Sequence, residues 1–202
     1  MTDAVRAFVA IDLGADARDA LSALVSGLRE AGIGALRPMR PESIHLTLKF
    51  LGDVPRAALG PIATGLSKAV ANSRAFALEL GGAGVFPNRS RARVLWVGVG
   101  GDVPSLIDLQ SELDNAMSGL GFEMDRRPYV PHLTVARVND RASARDRRLA
   151  ADALSAARFQ TGQQITVTAV DLIQSTLGRE GAVHRRLGRF PLSGNLPDDT
   201  TK

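Results

Sequence analysis

Two tetrapeptides decide how this chain is read: His45-Leu46-Thr47-Leu48 and His132-Leu133-Thr134-Val135. In an extended strand, residues i and i+2 point to the same face. Each copy therefore presents His and Thr together and turns its apolar residues into a core. One such strand would be unremarkable, because a lone His among apolar neighbours is usually structural. Two copies carry two of the three histidines in the chain, and His132 follows His45 by 87 residues.

The flanking sequence repeats with the motifs. The strand-like VRAFVAID at 5–12 is matched by RVLWVGV at 93–99. Amphipathic helices are expected over 16–31, about 56–72, 104–120 and about 142–158, and strands at 44–51, 75–80, 132–138, 164–174 and 182–192. GGAGVFPNRSRA at 81–92 reads as a Gly/Pro/Asn loop. Each half then runs strand–helix–strand–helix–strand. Alternation of this kind ordinarily signals a parallel sheet. Short turns and the lack of a Gly-rich phosphate loop favour an antiparallel arrangement. The expected class is α+β: two pseudo-symmetric lobes, each a mostly antiparallel sheet with helices packed outside, and HxT strands facing a central cleft. Residues 1–193 are expected to form this single bilobal domain, and 194–202 a flexible tail.

Composition narrows the chemistry. The 202 residues include no Cys, which removes disulfides, thiol nucleophiles and Cys-ligated metals. The start, MTDAVRAFVAIDLG, lacks the pattern of a secretory signal, and no long apolar run is present; a cytoplasmic monomer without membrane contact is expected. The net charge is only +4 although the pI is about 10.3, because 22 of the 25 basic residues are Arg. That surplus fits a polyanionic partner or a plain Arg-rich composition.

Two imidazoles can serve as general acid and general base near neutrality. The Thr47 and Thr134 hydroxyls can donate to the non-bridging oxygens of an anion. No carboxylate follows the motifs at metal-ligand spacing, so neither a metal nor another cofactor is expected.

Taken in order, RAFVAIDL, HLTLKFLGDV around His45, RVLWVGV, RRPYVPHLTVAR around His132 and Ser175-Thr176-Leu177-Gly178 resemble the bacterial and archaeal RNA 2′,3′-cyclic phosphodiesterases, also called 2′-5′ RNA ligases, of the 2H phosphoesterase superfamily. The resemblance implies hydrolysis of a terminal RNA 2′,3′-cyclic phosphate to a 2′-phosphomonoester, with reverse 2′-5′ ligation as a companion reaction. It makes His45 the proton donor to the leaving 3′ oxygen and His132 the proton acceptor that activates water. Arg127 and Tyr129 match its R-x-F/Y-x-P-H run and become substrate-binding candidates. The alternatives are a phosphodiesterase of small cyclic nucleotides or 2′-5′ oligonucleotides, and a noncatalytic RNA-end-binding domain.

Other residues are placed by local reading. Arg137, five positions after His132, is expected on the opposite face. Arg89, Arg91 and Arg93 of the 88–93 loop could meet an RNA backbone or only solvent. Phe8 is expected in the core. His184 is expected to be an exposed strand residue beside Arg185 and Arg186, where relatives often carry Tyr, and Pro38 stands where they often carry an aromatic.

Overall fold

In the computed structural model, residues 3–178 and 181–194 are described; most of the expected tail, 195–202, lies outside them. The strands are β1 (Ala4–Ile11), β2 (Leu36–Pro38), β3 (Leu46–Pro55), β4 (Phe76–Phe86), β5 (Val94–Gly101), β6 (His132–Val138), β7 (Gln164–Val167), β8 (Ala169–Gly178) and β9 (Gly181–Pro191). The helices are α1 (Ala15–Glu30), α2 (Leu59–Val70), α3 (Val103–Ser118) and α4 (Ala144–Ala156). No helix among the described residues is long and apolar enough to cross a membrane.

The four expected helices form, each for a legible reason. In α1 the apolar stripe Ala17, Leu21, Leu24, Val25 and Leu28 is buried, with Asp16 in the first turn and Arg29 in the last, both favourable to the helix dipole. Asp102 caps α3 by accepting from the Ser105 amide, and Pro104 sits in the first turn. A reciprocal Ser143–Asp146 capping box starts α4. The second expected helix is shorter than its pattern, because a 3₁₀ turn occupies 56–58.

The strands depart more from expectation. β4 runs on to Phe86, through most of the glycine-rich stretch read as a loop, because those glycines let the Trp96 ring lie across Gly84; a Cβ there would stand 2.4 Å from the indole. The segment read as one strand at 164–174 breaks at Thr168 into β7 and β8.

All paired strands are antiparallel, in the order β7-β4-β5-β6-β3-β1-β8-β9, with β2 added beside β6. One group is β3-β1-β8-β9 and the other β6-β5-β4-β7. A single residue pair, Leu46 with Leu133, joins them. The two groups do not coincide with the two halves of the sequence. β4 ends the first half yet pairs with β5 and β7, while β8 of the second half pairs with β1. The helices and the inward residues of the strands share one apolar core. Leu46 and Leu133 are fully buried in it, worth roughly 1.5–3 kcal/mol each relative to exposure.

Candidate active site

The HxT strands β3 and β6 meet only at Leu46–Leu133 and then diverge, and β2 fills the gap beside β6. On the face away from the core this leaves a cleft of about 570 Å³, with His45, Thr47, His132 and Thr134 in its lining. The paired motifs thus converge on one site.

The histidines are held alike. His45 Nδ1 donates to the Ser43 carbonyl at 2.8 Å, and His132 Nδ1 donates to the Val130 carbonyl at 2.8 Å. A carbonyl only accepts, so Nδ1 carries a hydrogen in both rings. Each Nε2 is left for the cleft, able to take a proton when the ring is neutral and give one when it is charged. The Thr47 and Thr134 side chains are half-buried beside them.

Both strands carry a bulge directly after the Thr. On β3 the partners of Val9 and Ala10 are Lys49 and Thr47, leaving Leu48 unpaired; on β6 the partners of Leu95 and Trp96 are Ala136 and Thr134, leaving Val135 unpaired. An inserted residue reverses the alternation beyond it. The expectation for Arg137 is therefore corrected: it lines the cleft with His132 and Thr134. Phe50 holds the equivalent place on β3 and stands 64% exposed at the cleft. Strict alternation would have put Lys49 beside His45 and Thr47. It is instead 2% exposed, ion-paired with Asp114 of α3 and donating to the Glu123 carbonyl at 2.5 Å.

The expectation for His184 is also corrected. It is half-buried on β9, opposite Ser175 of β8, and lines the cleft. Its ring meets His45 edge-on at 5.0 Å and Phe8 at 5.2 Å. Phe8 is buried as expected, and it also forms the cleft floor, stacked on His45 at 4.5 Å. On the other side the Phe86 ring lies edge-on to His132 at 5.0 Å.

These neighbours set the charge of His45. Burial, the nearby His184 and Arg137 push it down from 6.5 to about 4, against the pull of the Ser43 carbonyl and Asp12. His184 is itself lowered, by burial and by Arg40.

Tyr129 and Arg127, the substrate-binding candidates, are not in the cleft lining. The half-buried Tyr129 hydroxyl donates to the Thr47 carbonyl at 2.9 Å, and burial pushes its ionisation up. Arg127 is exposed on the same loop and is not in the cleft lining. Lys49 through Glu123 and Tyr129 through Thr47 dock the segment that ends in the Val130 carbonyl, and hence set the His132 ring. In the 88–93 loop, Arg89 is engaged by Asp152 and Ser155 of α4, while Arg91 and Arg93 are exposed. Pro38 pairs with Ala136, and the adjacent Met39 reaches the cleft. Among the described residues no cluster of His, Asp and Glu is arranged to hold a metal ion.

A model of the 2′-5′ RNA ligase superfamily matches residues 14–179. This chain belongs to that superfamily. A relative from Methanothermobacter thermautotrophicus named RNA 2′,3′-cyclic phosphodiesterase is 35% identical over 188 residues, covering 93% of this chain and 99% of the relative. A like-named protein of Geobacillus stearothermophilus is 36% identical over 130 residues, 64% of this chain and only 41% of that protein. Among solved structures, TT0787 of Thermus thermophilus superposes with a TM-score of 0.75 at 26% identity, covering 93% of this chain and 97% of that one. Escherichia coli LigT complexed with 3′-AMP gives a TM-score of 0.72 at 25% identity, covering 95% of this chain and 99% of LigT. Such superfamily members share the expected α+β class with this chain.

Proposed function

We propose that this chain is an RNA 2′,3′-cyclic phosphodiesterase that opens the terminal cyclic phosphate to a 2′-phosphomonoester through His45 and His132. The observation that carries the reading is the matched pair of imidazoles, each anchored through Nδ1 to the carbonyl two residues before it, each with Nε2 left for the same cleft. The naming of the relatives and the 3′-AMP bound to LigT support it.

The reaction balances on these two rings. His132 Nε2 takes a proton from water as the water oxygen bonds to phosphorus. The bond from phosphorus to the 3′ oxygen breaks, and His45 Nε2 gives that oxygen its proton. The Thr47 and Thr134 hydroxyls donate to the non-bridging oxygens, where charge accumulates, and Arg137 adds a fixed positive charge at the same wall. Both proton transfers are supplied by the chain itself. With a 5′-hydroxyl attacking in place of water, the same two proton transfers in the same direction form a 2′-5′ linkage and free the 3′ hydroxyl.

The donor role makes a demand on His45, which is neutral in the empty cleft at pH 7 because it titrates at about 4. An anionic phosphate against Nε2 offsets the burial and the Arg137 charge that keep the ring neutral, so the proton enters with the substrate. A bell-shaped rate profile then belongs to the histidine pair in the complex.

The test is turnover of RNA ending in a 2′,3′-cyclic phosphate, with the product identified. A 2′-phosphate is expected, lost in both His45→Ala and His132→Ala. A 3′-phosphate product would reverse the donor assignment. Tight binding without turnover would leave only the end-binding reading.

A further inference from the structure

Arg37 and Arg137 are direct partners across the β2–β6 ladder, so both side chains leave the sheet on one face. Arg137 lines the cleft, and Arg37 lies just outside its rim, exposed and next to the buried Leu36. Neither has a carboxylate partner within ion-pair distance among the described residues. Like charges placed directly opposite destabilise a sheet. Two guanidiniums in that position, with no acid between them, form a place for an anion.

Arg37 is also pre-set. Its Nη1 donates to the carbonyls of Gly34, at 2.9 Å, and Leu36, at 3.3 Å, which holds the fork at the start of β2 and leaves Nε and Nη2 without a partner among the described residues. Arg suits a phosphodiester because its planar fork can meet two oxygens at once. The row then runs outward from the Nε2 of His132, past Thr134 and Arg137, to Arg37.

Building on the reading of the cleft as a cyclic-phosphate site, we propose that Arg37 with Arg137 binds the phosphodiester on the 5′ side of the reacting one. The substrate is accordingly an RNA strand carrying at least one further phosphate, and β2 forms the first step of its exit path. A free cyclic mononucleotide has nothing to place there.

The experiment compares kcat/KM on a 2′,3′-cyclic mononucleotide with that on a decanucleotide ending in 2′,3′-cyclic phosphate. In the parent the oligonucleotide is preferred. In Arg37→Ala the ratio of the two values falls about tenfold, the scale of one charge-assisted phosphate contact. Binding of a fluorescein-labelled decanucleotide ending in 2′-phosphate, measured between 50 and 200 mM salt, gives a readout independent of turnover. Its log–log salt slope becomes shallower by about 0.7 in Arg37→Ala, as expected for one lost single-strand contact, and Arg37→Lys keeps most of the slope because the charge remains. A ratio within twofold of the parent's, or an unchanged slope in Arg37→Ala, overturns the proposal. Failure of the parent to turn over either substrate would instead defeat the cyclic-phosphate reading, with the binding slopes still deciding the role of Arg37.

Discussion

The sharpest consequence of the three-ring cluster concerns the proton on His45. Replacing His184 by Phe keeps a ring edge against Phe8 and His45 and removes a group that can carry charge. Two unit charges 5.0 Å apart repel by about 0.8 kcal/mol in water and about 3.3 kcal/mol at an effective dielectric of 20. A half-open cleft lies between those limits, near ~1.5 kcal/mol, or about one pK unit. His45 in His184→Phe is therefore expected to titrate about one unit higher than the parent's value of about 4, with burial and Arg137 holding it below the ordinary histidine range. The assay is an NMR pH titration of the imidazole Cε1 protons in the free protein. Only three histidines are present, so the spectrum assigns itself from the single substitutions. Parent His45 titrating near 6.5 would refute the argument from burial. An unchanged midpoint in His184→Phe would show that the neighbouring ring packs without acting electrostatically.

Four further outcomes follow from the same geometry. Ligand binding at pH 6 should draw about one proton into the complex, measured by calorimetry in buffers of different ionisation enthalpy; no uptake would contradict a donor that is charged only with substrate bound. Because the folded value for His45 lies below its unfolded one, the stability it contributes is complete above about pH 6.5 and lost as pH falls toward 4; that difference, at most about 3 kcal/mol, should shrink in His45→Gln when urea unfolding is compared at pH 7 and 4.5. Lys49→Met strands the buried Asp114 carboxylate and should cost about 3–5 kcal/mol in urea unfolding, with much of the loss recovered in Lys49→Met/Asp114→Leu. Thr134→Val, close in shape but without the donor, should lower kcat on cyclic-phosphate RNA by about 10²-fold; a loss under threefold would remove that hydroxyl from the charge-stabilising role.

What could be read from the residues was the part governed by short-range rules. The amphipathic pattern over 16–31 and the period-2 face of HLT each depend on neighbours a few positions away, and each stands as read. Arg137 failed because one inserted residue inverts every later side chain. The adjacent apolar pair Val135-Ala136 was the available signal, since a half-buried strand does not normally place two core residues in succession. On β3 the same bulge falls at Leu48-Lys49, where a lysine disguises it. His184 was out of reach for a different reason. Its place beside His45 depends on β9 pairing with β8 and β8 with β1, contacts between opposite ends of the chain that no local pattern announces. Tyr129 was found by its motif, but its hydroxyl is already committed to the Thr47 carbonyl.

The exchange of β4 and β8 between the two strand groups bears on how the chain can be made. β1 lies in the middle of its group, yet Phe8 finds its partner Ile173 only 165 positions later. During synthesis β1 and β3 must wait as an antiparallel pair with an open, apolar edge until nearly the whole chain has emerged. Pairings so distant in sequence slow folding and leave the edge open to other chains meanwhile. Cutting the gene at the midpoint would yield two fragments that each lack an inner strand, and neither could close its own sheet. Mixed together, each carries the strand the other is missing, so activity regained on co-expression would come from one reassembled molecule.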